Sequence, residues 1–226
     1  PDIQKMSIDE CFLDYGPIKH LYGDEVKFAY KLKNEIKNTL GFTVNIGIAN
    51  SKLCAKMASD FSKPDKVHTL YEYEIAKKMK PLPINDLFFV GKKTAEKLRK
   101  LNINTIGDLS KCTYDFLYPY FKNQSQKLIE AANGIDNSII ERDKTVTKGI
   151  SNSTTLNHNL IYKEEVEEIL GAISENLCSQ LRKEKRYATV VRVQLKDASF
   201  QNYTHQTTLK NATNSTSKIF EIAKQL

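Results

Sequence analysis

The hydrophobic periodicity of this chain changes twice, and those changes constrain the fold more than any single motif does. Up to about residue 80, strand-like and helix-like stretches alternate. Met6 to Leu13 is short and apolar enough for a buried strand. After Gly23-Asp24, the residues Phe28, Leu32, Ile36 and Leu40 recur at i+4 as one helix face, and Gly41 is a natural stop. Phe42, Val44, Ile46 and Ile48 alternate with smaller or polar residues as a strand. Leu53, Met57, Ala58 and Phe61 form the next helical stripe, capped by Asn50 or Ser51 and ended by Pro64. Val67 to Tyr71 reads as a strand and Glu74 to Lys80 as a short helix. Such alternation marks an α/β arrangement.

From Pro81 to Gly134 the strand signal vanishes, and short helical stretches are broken at Gly91, at Asn104-Thr105 and at Asn123. Residues 136–147 are polar, carry both charge signs and lack a stripe, as a linker does. Beyond them the order is strand, helix, strand, strand, helix. The helix from Lys163 to about Arg186 is the best defined. Its stripe is Val166, Ile169, Leu170, Ile173, Leu177 and Leu181, with glutamates at its start and basic residues at its end, both favourable to the helix dipole. The expected fold is mixed α+β: a partial α/β domain (1–80), a small all-α helix-hairpin-helix domain (81–135), a linker (136–147) and a β-α-β-β-α domain (148–226).

The formal charge is +7, from 34 basic and 27 acidic residues, which suits a polyanionic partner and an ordinary basic protein almost equally. The longest apolar run is Leu87-Phe88-Phe89-Val90, so no membrane span is expected. Cys11, Cys54, Cys112 and Cys178 lie far apart and form no close ligand pair, which argues for reduced thiols rather than zinc or redox chemistry. Pro1 in place of methionine, and a helical pattern still running at Leu226, suggest a piece of a longer protein.

Four constellations can carry chemistry. Asp9 and Glu10 sit side by side within an apolar stretch, where an unpaired carboxylate is expensive and a divalent cation such as Mg²⁺ would supply the missing charge. In a regular strand the two point to opposite faces, so both reach one metal only at a bend or strand end. Solvated acids at a strand end are the plain alternative. Lys52, Lys56 and Lys63 are spaced for one helical face, suited to a triphosphate or simply to solvent. Around Gly91, a short helix, a turn and a second helix starting near Thr94 resemble a helix-hairpin-helix, whose outward amides bind phosphate. Lys92, Lys93, Lys97, Arg99 and Lys100 against Glu96 alone give it a charge of +4. Arg192, Gln194 and Lys196, with Lys148 and Lys210 on neighbouring strands, form a basic sheet face fit to lie along a nucleic acid.

Taken in order, these motifs resemble the Y-family translesion DNA polymerases. The resemblance runs through Ser7-Ile8-Asp9-Glu10-Cys11-Phe12-Leu13-Asp14, then Asn45 to Pro64, the Gly91 hairpin, Ile106-Gly107-Asp108-Leu109 and Ala132-Asn133-Gly134-Ile135-Asp136. It implies a partial palm, a helical thumb and a C-terminally truncated little finger. It further implies Mg²⁺-dependent, template-directed nucleotidyl transfer past damaged DNA, with two metals at the site. Asp9 matches the family's metal-ligand aspartate and Glu10 its catalytic, metal-binding glutamate. Lys63 matches a lysine that contacts the incoming triphosphate. Gly91, Lys92, Lys93 and Thr94 match the thumb's DNA contact, and the strands near Lys148 and Arg192 match those of the little finger. The implied partners are primer-template DNA, deoxynucleoside triphosphates and a sliding clamp, in the cytoplasm at the bacterial nucleoid. The family's first palm strand, with a further metal-binding aspartate, and its fingers would precede Pro1; without them this stretch should not polymerise alone. Phe89 stands where the hairpin's first glycine is usual. Two other readings fit the same residues: a non-catalytic DNA-binding accessory protein with a polymerase-like fold, and a metal-dependent nuclease, which would cut DNA without added nucleotides.

Overall fold

The computed structural model describes residues 1–141 and 148–226, which fall into two compact units, Pro1–Asp143 and Lys144–Leu226. Within the first, the stretch expected as one buried strand is a hairpin. Strand β1 (Ile3–Lys5) pairs antiparallel with β2 (Cys11–Leu13), Ile3 opposite Leu13 and Lys5 opposite Cys11. The amides of Met6 and Ser7 both donate to the carbonyl of Glu10, closing the turn. The two acids prevent burial of the whole stretch, and turning the chain there leaves both in solvent with Ile8 fully exposed.

Helix α1 (Lys19–Tyr22) leads to α2 (Glu25–Leu40). The Asp24 carboxylate accepts from the Lys27 amide at the start of α2, and Gly41 closes its end at φ +77°. The buried line of α2 is Ala29 and Lys33. The expected stripe of Phe28, Leu32 and Ile36 is only half-buried, and Leu40 is exposed. The next strand is also shorter than its alternation suggests. Only β3 (Ile46–Ile48) pairs, parallel to β4 (Val67–Thr69), with α3 (Lys52–Asp60) between them. Ser51 caps α3 by accepting from the Cys54 amide, and Leu53, Cys54, Met57 and Ala58 are buried.

Helix α4 (Ile75–Lys78) precedes four more helices: α5 (Lys92–Lys100), α6 (Ile106–Ser110), α7 (Tyr114–Phe121) and α8 (Ser125–Ala132). Thr105 and Asp108 form a reciprocal capping box on α6, and Thr113 caps α7. Met57, Leu70 and Met79 share one buried cluster with Leu87, Leu98, Ile106, Leu109 and Leu117. The helical stretch and the β3-α3-β4 layer therefore share a single core.

In the second unit, 148–162 contains no strand among the described residues, so the first strand expected after the linker is missing there. Helix α9 (Lys163–Lys183) follows, with Glu164 and Glu165 in its first turn and Arg182 and Lys183 in its last. Strands β5 (Ala188–Lys196) and β6 (Asn202–Thr213) form an antiparallel ribbon, and α10 (Thr216–Gln225) completes the unit. Its core joins Cys178 and Leu181 of α9 to Val191 and Ile219. All four cysteines of the chain are free thiols.

Candidate active-site hairpin and nucleic-acid interface

The β1–β2 turn presents both acids on one exposed tip, which removes the opposite-faces difficulty of a regular strand. The Ser7 hydroxyl donates to Asp9 Oδ1 at 2.5 Å, and this bond, before any other influence, holds the Asp9 carboxyl below its ordinary range. Glu10 Oε1 accepts from Lys56 Nζ at 2.6 Å while its side chain stays 48% exposed. Lys56 also reaches Asp60 Oδ2 at 3.2 Å, and Asp60 Oδ1 meets Lys63 Nζ at 2.7 Å. Charges thus alternate from the hairpin tip to the end of α3: Glu10, Lys56, Asp60, Lys63.

Burial works against the charged form of Lys56, but its bonds to Glu10 and Asp60 outweigh it and raise the ammonium's pKa. Burial also opposes the Asp60 charge, and the bonds from Lys63 and Lys56 outweigh it, so its pKa falls. The Asp60 pairings therefore stabilise the fold above the ordinary carboxylate pKa of 3.8 and are lost as acid reaches the lowered value. Asp60 is the member that the motifs leave out. Its signal is nevertheless there in the spacing, four residues after Lys56 and three before Lys63.

Asp9 and Glu10 offer the hard oxygen donors that Mg²⁺ prefers. Among the described residues, no group of three His, Cys, Asp or Glu side chains could hold a metal ion. The hairpin thus fits part of a magnesium site rather than a whole one.

The structure does not keep the three lysines on one free face. Lys63 lies beyond the end of α3, and Lys52 is tied down, donating to Gln4 Oε1 at 3.0 Å and to the Ile139 carbonyl at 2.8 Å. Part of the expected linker is fastened at the same place. Asp136 Oδ2 accepts from the Leu53 amide at the start of α3 at 2.9 Å, and the Glu141 amide donates to Gln4 Oε1 at 3.3 Å. Residues 142–147 of that linker lie outside the described residues. Asp136→Ala should cost about 1 kcal/mol, the usual worth of a helix cap, and Asp136→Asn less, since an acceptor remains. Urea denaturation followed by circular dichroism measures both; equal loss in the two variants would contradict a capping role.

At the expected phosphate-binding turn, the glycine does not occupy the demanding position. Gly91 has φ −75° and caps α5, whereas Phe89 takes φ +75° and is 76% exposed. Helix α5 begins at Lys92 rather than near Thr94. Its first amides lack intrahelical carbonyl partners, as at any helix start. Lys92 and Lys93 beside them are exposed, and Thr94 is half-buried.

On the ribbon of the second unit, Arg192 donates from Nε and Nη2 to Gln206 Oε1 of the facing strand, at 2.9 and 2.7 Å. Gln194 bonds Asn202, and the Lys196 ammonium sits 5.2 Å from the Phe200 ring centre. Lys210 lies on β6 and is exposed. Lys148 is exposed but lies on no strand, contrary to expectation, because 148–162 pairs with neither β5 nor β6.

Comparison with known proteins places these features in one family. The impB/mucB/samB family model matches residues 1–60, the IMS family HHH motif residues 74–103, and the impB/mucB/samB family C-terminal domain residues 147–226. A protein named DNA polymerase IV from Clostridium acetobutylicum is 47% identical over all of this chain. One of the same name from Alkaliphilus oremlandii is 34% identical over all of it. The chain spans 57% of the length of each. Among solved structures, a Y-family DNA polymerase chimera superposes with a TM-score of 0.86 at 21% identity, covering all of this chain and 64% of that one. DinB from Sulfolobus solfataricus gives a TM-score of 0.56 at 20% identity, covering all of this chain and 65% of that one. With models of one family matching in order from the hairpin to the ribbon, and with that fold, the chain belongs to the impB/mucB/samB family.

Proposed function

We propose that this chain carries the acidic catalytic hairpin and the DNA-gripping parts of a translesion DNA polymerase, which extends a primer past damaged template by Mg²⁺-dependent nucleotidyl transfer. The observation that supports this most is the exposed Asp9–Glu10 tip backed by Lys56, Asp60 and Lys63: acids placed for a cation, with a basic residue beside them for phosphate. Residues 1–80 act as a partial palm, 81–135 as a thumb, 136–147 as the connection and 148–226 as a little finger. Asp9 and Glu10 hold metal, Glu10 serving the transfer itself, and a third ligand comes from outside this chain. Bound Mg²⁺ would supply charge stabilisation for the phosphoryl group in transfer. Lys63 contacts the incoming triphosphate as a mobile point charge. Gly91, Lys92, Lys93 and Thr94 offer outward amides and two ammonium groups to a DNA phosphate, and Arg192 and Lys148 add contacts from the second unit. Primer-template DNA and deoxynucleoside triphosphates are the substrates. A sliding clamp partner and a setting at the bacterial nucleoid accompany that role. No helix among the described residues is long and apolar enough to cross a membrane.

The chain's own DNA binding tests the gripping half of this reading. From Pro81 to Leu226 there are 21 basic residues against 16 acids, and binding to primer-template DNA should weaken steeply with salt as counterions are released. Lys92→Ala with Lys93→Ala should flatten the salt slope by about one to two. Gly91→Val should behave differently. A Cβ at Gly91 meets nothing within 4 Å, so stability should stay within about 0.5 kcal/mol. Affinity should nevertheless fall at an unchanged slope, because bulk replaces close backbone approach without altering charge. Fluorescence anisotropy at several salt concentrations reads all three. Binding that is absent at low salt, or indifferent to salt, would count against DNA gripping.

A further inference from the structure

Lys33 is the only charged residue buried among the described residues, with 7% of its surface exposed, and it sits on α2 where an apolar residue would be expected. An ammonium is buried at such a place only when a partner compensates its charge. The partner is Asp65, whose Oδ1 accepts from Lys33 Nζ at 2.7 Å while its Oδ2 accepts from Lys37 Nζ at 3.1 Å. Asp65 lies two residues after Lys63, in a left-handed backbone conformation at φ +62° that aspartate tolerates better than most non-glycine residues. The next residue is fixed as well. The Lys66 amide donates to Asn45 Oδ1 at 2.9 Å, and the Lys66 carbonyl accepts from the Ile46 amide at 2.9 Å. On the other side, Lys63 itself is held by Asp60. The loop from Phe61 to Lys66 is therefore gripped at both ends, with the Lys63 side chain left 58% exposed between the anchors.

We infer that Asp65, clamped by Lys33 and Lys37, is a positioning residue that fixes the loop presenting Lys63 to the triphosphate of the incoming nucleotide. This rests on the reading of Lys63 given above. A long lysine loses rotamer entropy whenever it is ordered on a phosphate, and a rigid backbone beneath it reduces what binding must freeze. Asp65 touches no substrate in this role. Its loss should weaken ground-state binding of the nucleotide and leave the chemical step largely alone.

The test is a double-mutant cycle in the full-length protein, reading KM and kcat for single-nucleotide addition to a primer. Asp65→Asn is expected to raise the nucleotide KM about three- to tenfold with kcat within about twofold, and Lys63→Ala to raise KM at least as much. In the Lys63→Ala background, Asp65→Asn should add nothing further, since its effect runs through Lys63. Lys33→Met keeps the length of the buried stem and removes its charge. It should reproduce the Asp65→Asn effect, and it takes that variant's place in the cycle if the asparagine lowers the melting temperature. If Lys63→Ala leaves KM unchanged, the triphosphate reading fails and this inference with it. If Lys63→Ala raises KM but the Asp65 effect multiplies on top of it, or appears in kcat alone, the inference fails while the role of Lys63 stands.

Discussion

Replacing Asp9 and Glu10 together with alanine is expected to lower nucleotide incorporation by the full-length protein about a thousandfold or more, the scale of several kcal/mol of lost charge stabilisation. Affinity for primer-template DNA should be unchanged or slightly higher, because the substitutions remove two exposed negative charges that would repel the phosphate backbone. The two outcomes separate chemistry from grip. Metal-holding acids serve the transition state, whereas backbone-binding lysines serve the ground state. Incorporation assays beside anisotropy measure both, and an active double variant would remove the polymerase reading. Loss of DNA binding in step with activity would instead make the hairpin a structural element of the interface.

Gly47→Ala is expected to destabilise the fold more than a methyl group added at any other glycine of the chain. An added Cβ would lie 1.9 Å from the Ala55 carbonyl oxygen and 2.5 Å from the Ser59 amide nitrogen, both backbone atoms of α3 that no rotamer change can move. Either β3 and α3 separate or the strand shifts, and the cost should reach about 3 kcal/mol or more, a large part of a typical domain's net stability. Because β3 and α3 carry the base of the Lys56–Asp60–Lys63 chain, DNA-dependent activity should fall with the fold. A urea midpoint within error of the parent protein would show that this close contact is not tight.

Much of the local structure was legible because it depends on neighbours in sequence. Asp24, Ser51 and Gly41 act as helix ends where their chemistry suggests, and the charge asymmetry of α9 marks its termini. Features that depend on distant partners were not legible. Lys33 reads as an exposed helix residue until Asp65, 32 positions away, meets it. Met6 to Leu13 has the apolar content of a strand, and nothing local says that the acids turn it into a hairpin. Gly47 is visible as a glycine in an alternating strand, a sign of close approach, but not that α3 is the element approaching. At the hairpin before α5, the left-handed backbone belongs not to Gly91 but to Phe89, which stands where the resemblance places a glycine, although its side chain alone does not suggest that conformation. The strand expected near Lys148 depends on pairing along an outer edge of the ribbon, and among the described residues β5 and β6 pair only with each other. The candidate site itself was half legible. Asp9, Glu10, Lys56 and Lys63 stood out by type and spacing, and Asp60 is visible as an acid spaced between the lysines, but the diversion of Lys52 to Gln4 and Ile139 depends on distant partners.

Primer extension by the full-length protein tests the central claim most directly. A labelled primer annealed to a template bearing a lesion is incubated with Mg²⁺, with and without the four deoxynucleoside triphosphates. Elongation through the lesion only when nucleotides are present, and its loss on replacement of Asp9 and Glu10, is the expected result. A primer that stays at its original length while the protein binds it tightly would point to a DNA-binding accessory protein, and one that shortens without nucleotides would point to a nuclease. Either would contradict the assignment of nucleotidyl transfer to this hairpin.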